Sequence, residues 1–414
     1  MKTALLTIGN ELLSGVTVNT NASWLGRELL EQGFPVEETL TIGDNRPQIL
    51  HALRYLWGAA DIILTTGGLG PTSDDITMEV VAEFFGSDLV FHEPTFQHLK
   101  ERLSSHKIEI TEQHKQQSLV PQDAEIITNK AGTAPLIHYA REGKHLFCLP
   151  GIPYEMKHLV RHQIIPLLSE EQGRHSLTRL IRTSGVPEST IAREIAEIVD
   201  PLPAGAVAYL PHVFGVDIRL IADDTAENAT RLQEITRAIT HRLGKIVYTE
   251  QDESLAAVVG RELRQRTFTV STAESCTGGL LADEFTNISG SSDYFMEGFI
   301  TYGNQAKTDR LQVSGDLIER HGAVSEAVAE AMVRGALQAA GTDAALATTG
   351  IAGPTGGTDA KPVGLVYIGC GIRGRVQTKR FVFGQDRRLN KERAVWAALN
   401  MLRLALQDDE HTRL

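Results

Sequence analysis

The sequence predicts an α/β protein of three parts: a parallel α/β sheet over residues 1–170, a small α+β connecting domain over 171–249, and a second α/β part over 250–414. Three observations lead there. A chain of 414 residues exceeds what one ordinary hydrophobic core organises, so two or three domains are expected. Up to about residue 165, short apolar runs alternate with helix-periodic segments, the pattern of a parallel sheet covered by helices. The pattern breaks between about 175 and 248, and alternation then returns.

Taken in order, residues 2–8 read as a buried strand that ends at Gly9. Residues 21–33 read as a helix, because Trp24, Leu25, Leu29 and Leu30 recur at helical spacing and Gly33 supplies a stop. A second strand (34–42), a second helix (46–58) and a third strand (61–66) follow, the last running into Gly67-Gly68-Leu69-Gly70-Pro71-Thr72. Residues 146–153 read as a strand that breaks into a turn at Pro150 and Gly151. In the middle part, strand 179–183 precedes a helix starting near Glu188, and strand 216–221 precedes helix 226–243. No catalytic cluster falls there. The last part reads as helix 254–266, strand 267–273, helix 277–287, strand 295–302, helix 324–340, strands 343–349, 363–372 and 377–383, and helix 388–406. On that last helix Val395, Trp396, Leu399, Leu402 and Leu406 mark a face for the core or for a subunit contact.

Composition narrows the class. The apolar opening is interrupted by Asn10 and Glu11 too early for a signal peptide, and no apolar run is long enough for a membrane span, so a cytoplasmic protein with no membrane partner is expected. Cys148, Cys276 and Cys370 lie too far apart for a paired metal or disulfide pattern, which suits a reducing compartment. A net charge of -12 and the lack of a basic strip with interleaved aromatics argue against direct nucleic-acid binding.

Two places carry chemistry. Around the N-terminal strand ends stand Gly9, Asn10 and Glu11, then Asn21, Asp44, and Gly67, Gly68, Gly70 and Thr72 followed by Asp74 and Asp75. Glycines let backbone amides approach phosphate oxygens, while Asp44, Asp74 and Asp75 could hold a hard divalent cation bridging a pyrophosphate. Asp74 and Asp75 could equally cap the next helix. In the C-terminal part, Ser275 sits in Ala273-Glu274-Ser275-Cys276-Thr277-Gly278-Gly279, between a β-rich run and a helix start, in the field of unpaired backbone N–H groups. On spacing alone a nucleophile and an ordinary helix cap remain even. Tyr302 and Lys307 offer a phenol and an amine that could deprotonate a serine without histidine, although Lys307 by itself reads as a solvated loop lysine. Cys276 is a rival nucleophile beside a helix start, where thiol pKa values fall. His321, just before Gly322, reads as a helix C-terminal residue. Residues 65–72 and 348–355 echo one another as glycine-rich anion-binding turns.

These motifs resemble a known family over nearly the whole chain. Gly9-Asn10-Glu11-Leu12-Leu13-Ser14-Gly15, residues 67–77, Asn129 to Pro135 and Leu149-Pro150-Gly151-Ile152-Pro153 are similar to the signatures of the competence/damage-inducible CinA family. The resemblance implies an N-terminal domain of molybdopterin-binding type with metal-dependent ADP-ribose pyrophosphatase activity, in which Asp44 and Asp75 match aspartates used around metal and phosphate. Leu136 departs from the family's glycine, and a bulky side chain there is expected to narrow the approach of the substrate. Ser275 to Gly279, Tyr302 to Lys307, Gly350 to Pro354, Lys361 to Gly364 and Phe383 to Arg387 resemble the family's nicotinamide mononucleotide deamidase domain. That resemblance implies Ser275 as nucleophile, Lys307 and Tyr302 handling its proton, no cofactor at this site, and a homodimer.

The chemistry agrees with those roles. An amide needs an activated nucleophile, an oxyanion hole and an acid for departing ammonia. Lys307 serves as a base only if burial or a nearby cation lowers its pKa from about 10.4. Backbone amides of Cys276, Thr277 and Gly278 would face the oxyanion, and Thr349, Gly350 and Gly353 with Arg387 would hold the 5'-phosphate. The alternative for the N-terminal domain is a non-catalytic sensor or scaffold binding a pterin or nucleotide. A DNA-associated competence factor is disfavoured by acidity.

Overall fold

The computed structural model describes residues 1–70, 72, 74–105, 110–172 and 176–411; Pro71 and Ser73 of the first glycine-rich motif lie outside them. The chain forms two compact units, one of Met1–Leu177 with Ala222–Asn228, the other of Thr178–Ile221 with Ala229–Leu414.

The first unit holds β1 (Thr3–Ile8), β2 (Val36–Ile42), β3 (Ile62–Thr66), β4 (Leu89–Phe91), β5 (Leu119–Pro121), β6 (Glu125–Ile127), β7 (Leu136–Arg141) and β8 (Lys144–Leu149). Six of these make one sheet in the order β2-β1-β3-β8-β7-β6. The expected parallel pairing holds for β2, β1, β3 and β8, and two antiparallel strands extend it. β1 and β3 are buried along their whole length, as strands covered by helices on both faces must be. The two-residue period of β1 sends Leu6 and Ile8 into one core cluster, with Leu53, Leu56 and Val80, and Leu5 into the other, with Leu25, Leu29 and Phe147. Asn19 caps helix Thr20–Glu31 and Asn45 caps helix Arg46–Ala59, each side chain accepting a first-turn N–H. The β7–β8 hairpin turns at Glu142 and Gly143, both with positive φ, which matches the twist of adjacent antiparallel strands.

The second unit holds β9 (Ser176–Thr183), β10 (Val207–His212), β11 (Gly215–Asp223), β12 (Val247–Thr249), β13 (Val270–Glu274), β14 (Phe295–Ile300), β15 (Ala344–Gly350), β16 (Leu365–Ile372) and β17 (Arg375–Val382). The connecting domain is a four-stranded sheet in the order β10-β11-β9-β12 with helices Glu188–Val199 and Ala226–Leu243. The last part is a five-stranded sheet in the order β14-β13-β15-β16-β17, parallel over the first three and antiparallel beyond. Helix Arg387–His411 buries Val395, Leu399, Leu402 and Leu406 in the core, and Trp396 packs on His212 and Tyr248 of the small sheet. Arg403, wholly buried in that helix, donates to the carbonyls of Lys245 and Val247 and so ties the small sheet to the C-terminal part. Among the described residues, no helix is long and apolar enough to cross a membrane.

Candidate active sites

Three parallel strands end together. Glu274 at the end of β13 lies opposite Ile300 of β14 and Thr348 of β15, so Ser275, Thr301 and Thr349 emerge side by side at one rim of the sheet. Main-chain bonds fix them: Ser275 N donates to Thr348 O at 2.9 Å and Thr301 N to Glu274 O at 2.8 Å.

Lys307, on helix Asn304–Leu311, is 1% exposed and points its amine into this rim. Its Nζ stands 3.1 Å from Ser275 Oγ, and donates to the carbonyls of Thr301 at 2.8 Å and Tyr302 at 3.2 Å. All three hydrogen-bond partners are neutral oxygens, and burial lowers the lysine pKa, with a smaller opposing influence from Cys276. The serine and the lysine named from the sequence therefore meet. Tyr302 meets them only through its carbonyl: its side chain is 64% exposed and makes no bond to either, so a phenol relay is not assembled.

The turn itself differs from the sequence expectation in one respect. Glu274, fully buried, accepts hydrogen bonds from Thr277 Oγ1 at 2.7 Å and from the N–H groups of Gly279, Leu281 and Ala282 at 2.9, 3.0 and 2.8 Å. The start of helix Leu280–Thr286 is thus already filled by a carboxylate, and its field is not left for Ser275. The amides of Thr277 and Gly278 are not taken by Glu274. Gly278 and Gly279 adopt φ of 63° and 99°, the left-handed region in which a side chain is strained. Sequence reading passed over Glu274, although a carboxylate closing a buried strand must find donors, and a helix start is where they are. Cys276 is no rival: burial pushes its thiol up to about 12, and it packs as a core residue.

Thr349 turns its hydroxyl away, donating to Ala323 O at 2.7 Å. Gly350 lets β15 lie close to β16, since a Cβ there would fall 2.6 Å from Leu365 O. Gly353 O accepts from Arg387 Nη1 at 2.9 Å, which places that guanidinium beside the second glycine-rich turn.

In the first unit a cavity of about 350 Å³ is lined by Gly9, Glu11, Asp44, Gly67, Gly68, Gly70, Asp74, Asp75 and Glu155, among others. Asn10 and Thr72 are exposed and are not among its lining residues. Asn10 N donates to Asp44 Oδ2 at 2.9 Å, and Thr72 N to Asp75 Oδ2, also at 2.9 Å. The Thr72 hydroxyl donates to the same Asp75 oxygen at 2.5 Å. Asn21 does not line the cavity; its amide donates to Gly151 O at 2.7 Å and to Thr66 Oγ1, a crosslink between strand ends. Glu155, missed in the sequence, is buried on helix Pro153–Leu159 and accepts from Asn129 Nδ2 at 2.7 Å. Burial raises its pKa, and a Cβ on Gly132 would fall 1.7 Å from its carboxyl carbon, so a side chain there would displace the carboxylate. Leu136 does not narrow the approach: it is fully buried with Leu5, Leu64 and Phe147.

Among the described residues lining this cavity there is no Lys, Arg or His, while there are five carboxylates: Glu11, Asp44, Asp74, Asp75 and Glu155. Oxygen donors of this kind fit a hard divalent cation. Among the described residues, no three or more His, Cys, Asp or Glu side chains are gathered closely enough to hold an ion by themselves. A magnesium-like ion, carried by one or two carboxylates together with substrate oxygens, needs no such cage.

Comparison with known proteins bears on the whole chain. Residues 4–170 match the family described as a probable molybdopterin binding domain, 178–249 the damage-inducible protein CinA KH domain, and 252–406 the CinA C-terminal domain. A putative competence-damage inducible protein of Clostridium beijerinckii is 39% identical over 408 residues, 98% of this chain and 100% of that protein. A CinA-like protein of Chloroherpeton thalassium is 40% identical over 418 residues, 97% of this chain and 99% of that one. Among solved structures, a CinA superfamily protein of Klebsiella pneumoniae is 37% identical, covering 37% of this chain and 96% of that one with a TM-score of 0.37. A competence/damage inducible protein of Agrobacterium tumefaciens is 42% identical, covering 37% and 93% with a TM-score of 0.36. With identity near 39% sustained from end to end and all three of its domains matched in order, the chain belongs to the CinA family.

Proposed function

We propose that the C-terminal site hydrolyses nicotinamide mononucleotide to nicotinate mononucleotide and ammonia, and that the N-terminal cavity cleaves ADP-ribose with a divalent cation, both within pyridine nucleotide salvage. The first reading is carried by the 3.1 Å approach of the buried Lys307 Nζ to Ser275 Oγ. A neutral amine has two N–H bonds and one lone pair. With its hydrogens on the Thr301 and Tyr302 carbonyls, the lone pair faces Ser275, whose hydroxyl then donates to Nζ. As Oγ attacks the amide carbon, its proton passes to Nζ. The resulting ammonium returns that proton to the leaving nitrogen, ammonia departs, and an ester remains on Ser275. Water, deprotonated by the regenerated amine, cleaves the ester to the acid.

Purified wild-type, Ser275→Ala and Lys307→Met chains assayed for ammonia release test this. Either substitution is expected to lower kcat by about a thousandfold or more, since a nucleophile and its base act as a unit. Turnover within a few fold of wild type would remove the assignment.

The second reading is supported by the acidic cavity between glycine-rich turns, which offers a pyrophosphate backbone amides and, among the described residues, no side-chain cation. Glu11, Asp44, Asp74 and Asp75 would hold the metal, whose role is to neutralise the phosphate oxygens. The lack of a ready-made three-ligand group among the described residues favours one rival, a non-catalytic pterin or nucleotide sensor. ADP-ribose binding without turnover in the presence of metal would select the sensor.

A further inference from the structure

Beside the Ser275 turn, two threonine hydroxyls form a buried chain that the proton transfers of amide hydrolysis do not use. Thr277 and Thr348 are both wholly buried, and their Oγ1 atoms stand 2.6 Å apart although the residues are 71 positions from one another. The ladder brings them together, because Thr348 of β15 lies opposite Glu274 of β13, three residues before Thr277. Either hydroxyl of such a pair can donate, but Glu274 fixes the direction. Its Oε2 accepts from the N–H groups of Gly279 and Leu281 and stands 2.7 Å from Thr277 Oγ1, while its Oε1 accepts from the N–H of Ala282. A carboxylate has no hydrogen to give, so Thr277 donates its single hydroxyl hydrogen to Glu274. Thr277 Oγ1 is then an acceptor towards Thr348, and the Thr348 hydroxyl is the donor. The chain runs one way, from Thr348 to Thr277 to Glu274, and ends on a charge that strengthens it. It fixes the side chain of a residue whose main-chain N–H is unused: Thr277 N and Gly278 N donate to no described residue.

We propose that Thr348 is a positioning residue for the oxyanion-binding turn of the Ser275 site: by donating to Thr277 it holds the N–H groups of Thr277 and Gly278 where the negative oxygen of the tetrahedral intermediate forms. The inference rests on the amidase reading of that site. Thr348 touches no substrate and acts through Thr277 alone. Amides aimed beforehand at a developing charge need no reorganisation during the reaction. They raise kcat more than they tighten substrate binding, because the carbonyl oxygen of the bound amide carries far less charge than the oxyanion.

The test uses the full chain with Thr348→Val, which keeps the shape and removes the donor, and Thr348→Ser, which keeps the donor and removes a methyl group. Each is assayed for ammonia release from nicotinamide mononucleotide. Thr348→Val is expected to lower kcat about tenfold to a hundredfold with KM within about threefold, and Thr348→Ser to keep kcat within about threefold of wild type. An unchanged kcat in Thr348→Val overturns the positioning role, as does an equal fall in both variants or a loss that appears in KM alone. Urea unfolding of Thr348→Val, Thr277→Val and the double variant separates the hydroxyl chain from the amidase reading, since it needs no turnover. The two substitutions are expected to be non-additive, because each removes the same bond. If they couple while the wild-type chain releases no ammonia, the hydroxyl chain stands and the amidase reading falls. Additive losses of stability overturn the chain whatever the turnover.

Discussion

Lys307 is buried against three neutral oxygens, and the sign of its titration follows from that. Desolvation disfavours the ammonium, so the amine loses its proton below the usual lysine value of 10.5. Catalysis needs the neutral form, so kcat/KM for amide hydrolysis is expected to rise with pH and to level off below 10.5, as a pH–rate profile would measure. A limb that keeps rising through 10.5 would mean an unperturbed lysine and a different base. Stability carries the same sign: between the lowered pKa and 10.5 the unfolded chain binds the extra proton, so stability rises with pH across that window. The pairing of Ser275 with Lys307, 32 residues apart, was legible through the family resemblance of the two motifs and not from their spacing, since Lys307 alone reads as a solvated loop lysine. The exposure of Tyr302 was not, because residues 302 and 307 are near in sequence whatever way the phenol turns, and only packing decides that.

At the scale of elements, the unit that matters is strand, turn and helix: β13, residues 275–279 and helix Leu280–Thr286. Glu274 holds these together with five hydrogen bonds to its carboxylate, one of them from Thr272 Oγ1 of β13 itself. Glu274→Gln keeps the shape but replaces one acceptor oxygen with a donor, leaving at least one buried N–H facing an NH₂ group. The expected cost is about 1–3 kcal/mol in urea unfolding, with kcat for amide hydrolysis falling as the Ser275 turn loosens. Wild-type stability together with wild-type kcat would show that the carboxylate is dispensable. The sequence located this unit but not its internal wiring. Periodicity reports which face of an element is apolar, as in helix Ala226–Leu243, expected and found over the same residues. It does not report which carboxylate folds back on which amide. The antiparallel strands β6 and β7 escaped for a related reason. The turn from β7 into β8 relies on Glu142 at a φ of 57°, a residue that does not advertise a tight hairpin as asparagine before glycine would.

At the scale of the molecule, two sites of opposite chemical character lie in separate compact units. The Ser275 site is built on an amine, a hydroxyl and backbone carbonyls, with Arg387 nearby. The cavity of the first unit is built on carboxylates and glycines, with no Lys, Arg or His among its described lining residues. Five carboxylates repel a pyrophosphate unless a cation intervenes, whereas a cationic rim attracts a phosphate without one. One treatment should therefore divide the two activities of a single preparation. Chelation with EDTA is expected to abolish ADP-ribose turnover and to leave ammonia release from nicotinamide mononucleotide within about twofold of its starting rate. Adding excess magnesium should restore the first without changing the second, and Asp75→Asn should reproduce the chelated state while keeping the amidase. ADP-ribose turnover that survives both chelation and Asp75→Asn would mean that the carboxylates serve the fold alone. Parallel loss of both activities on chelation would mean that the amidase site, too, depends on a metal.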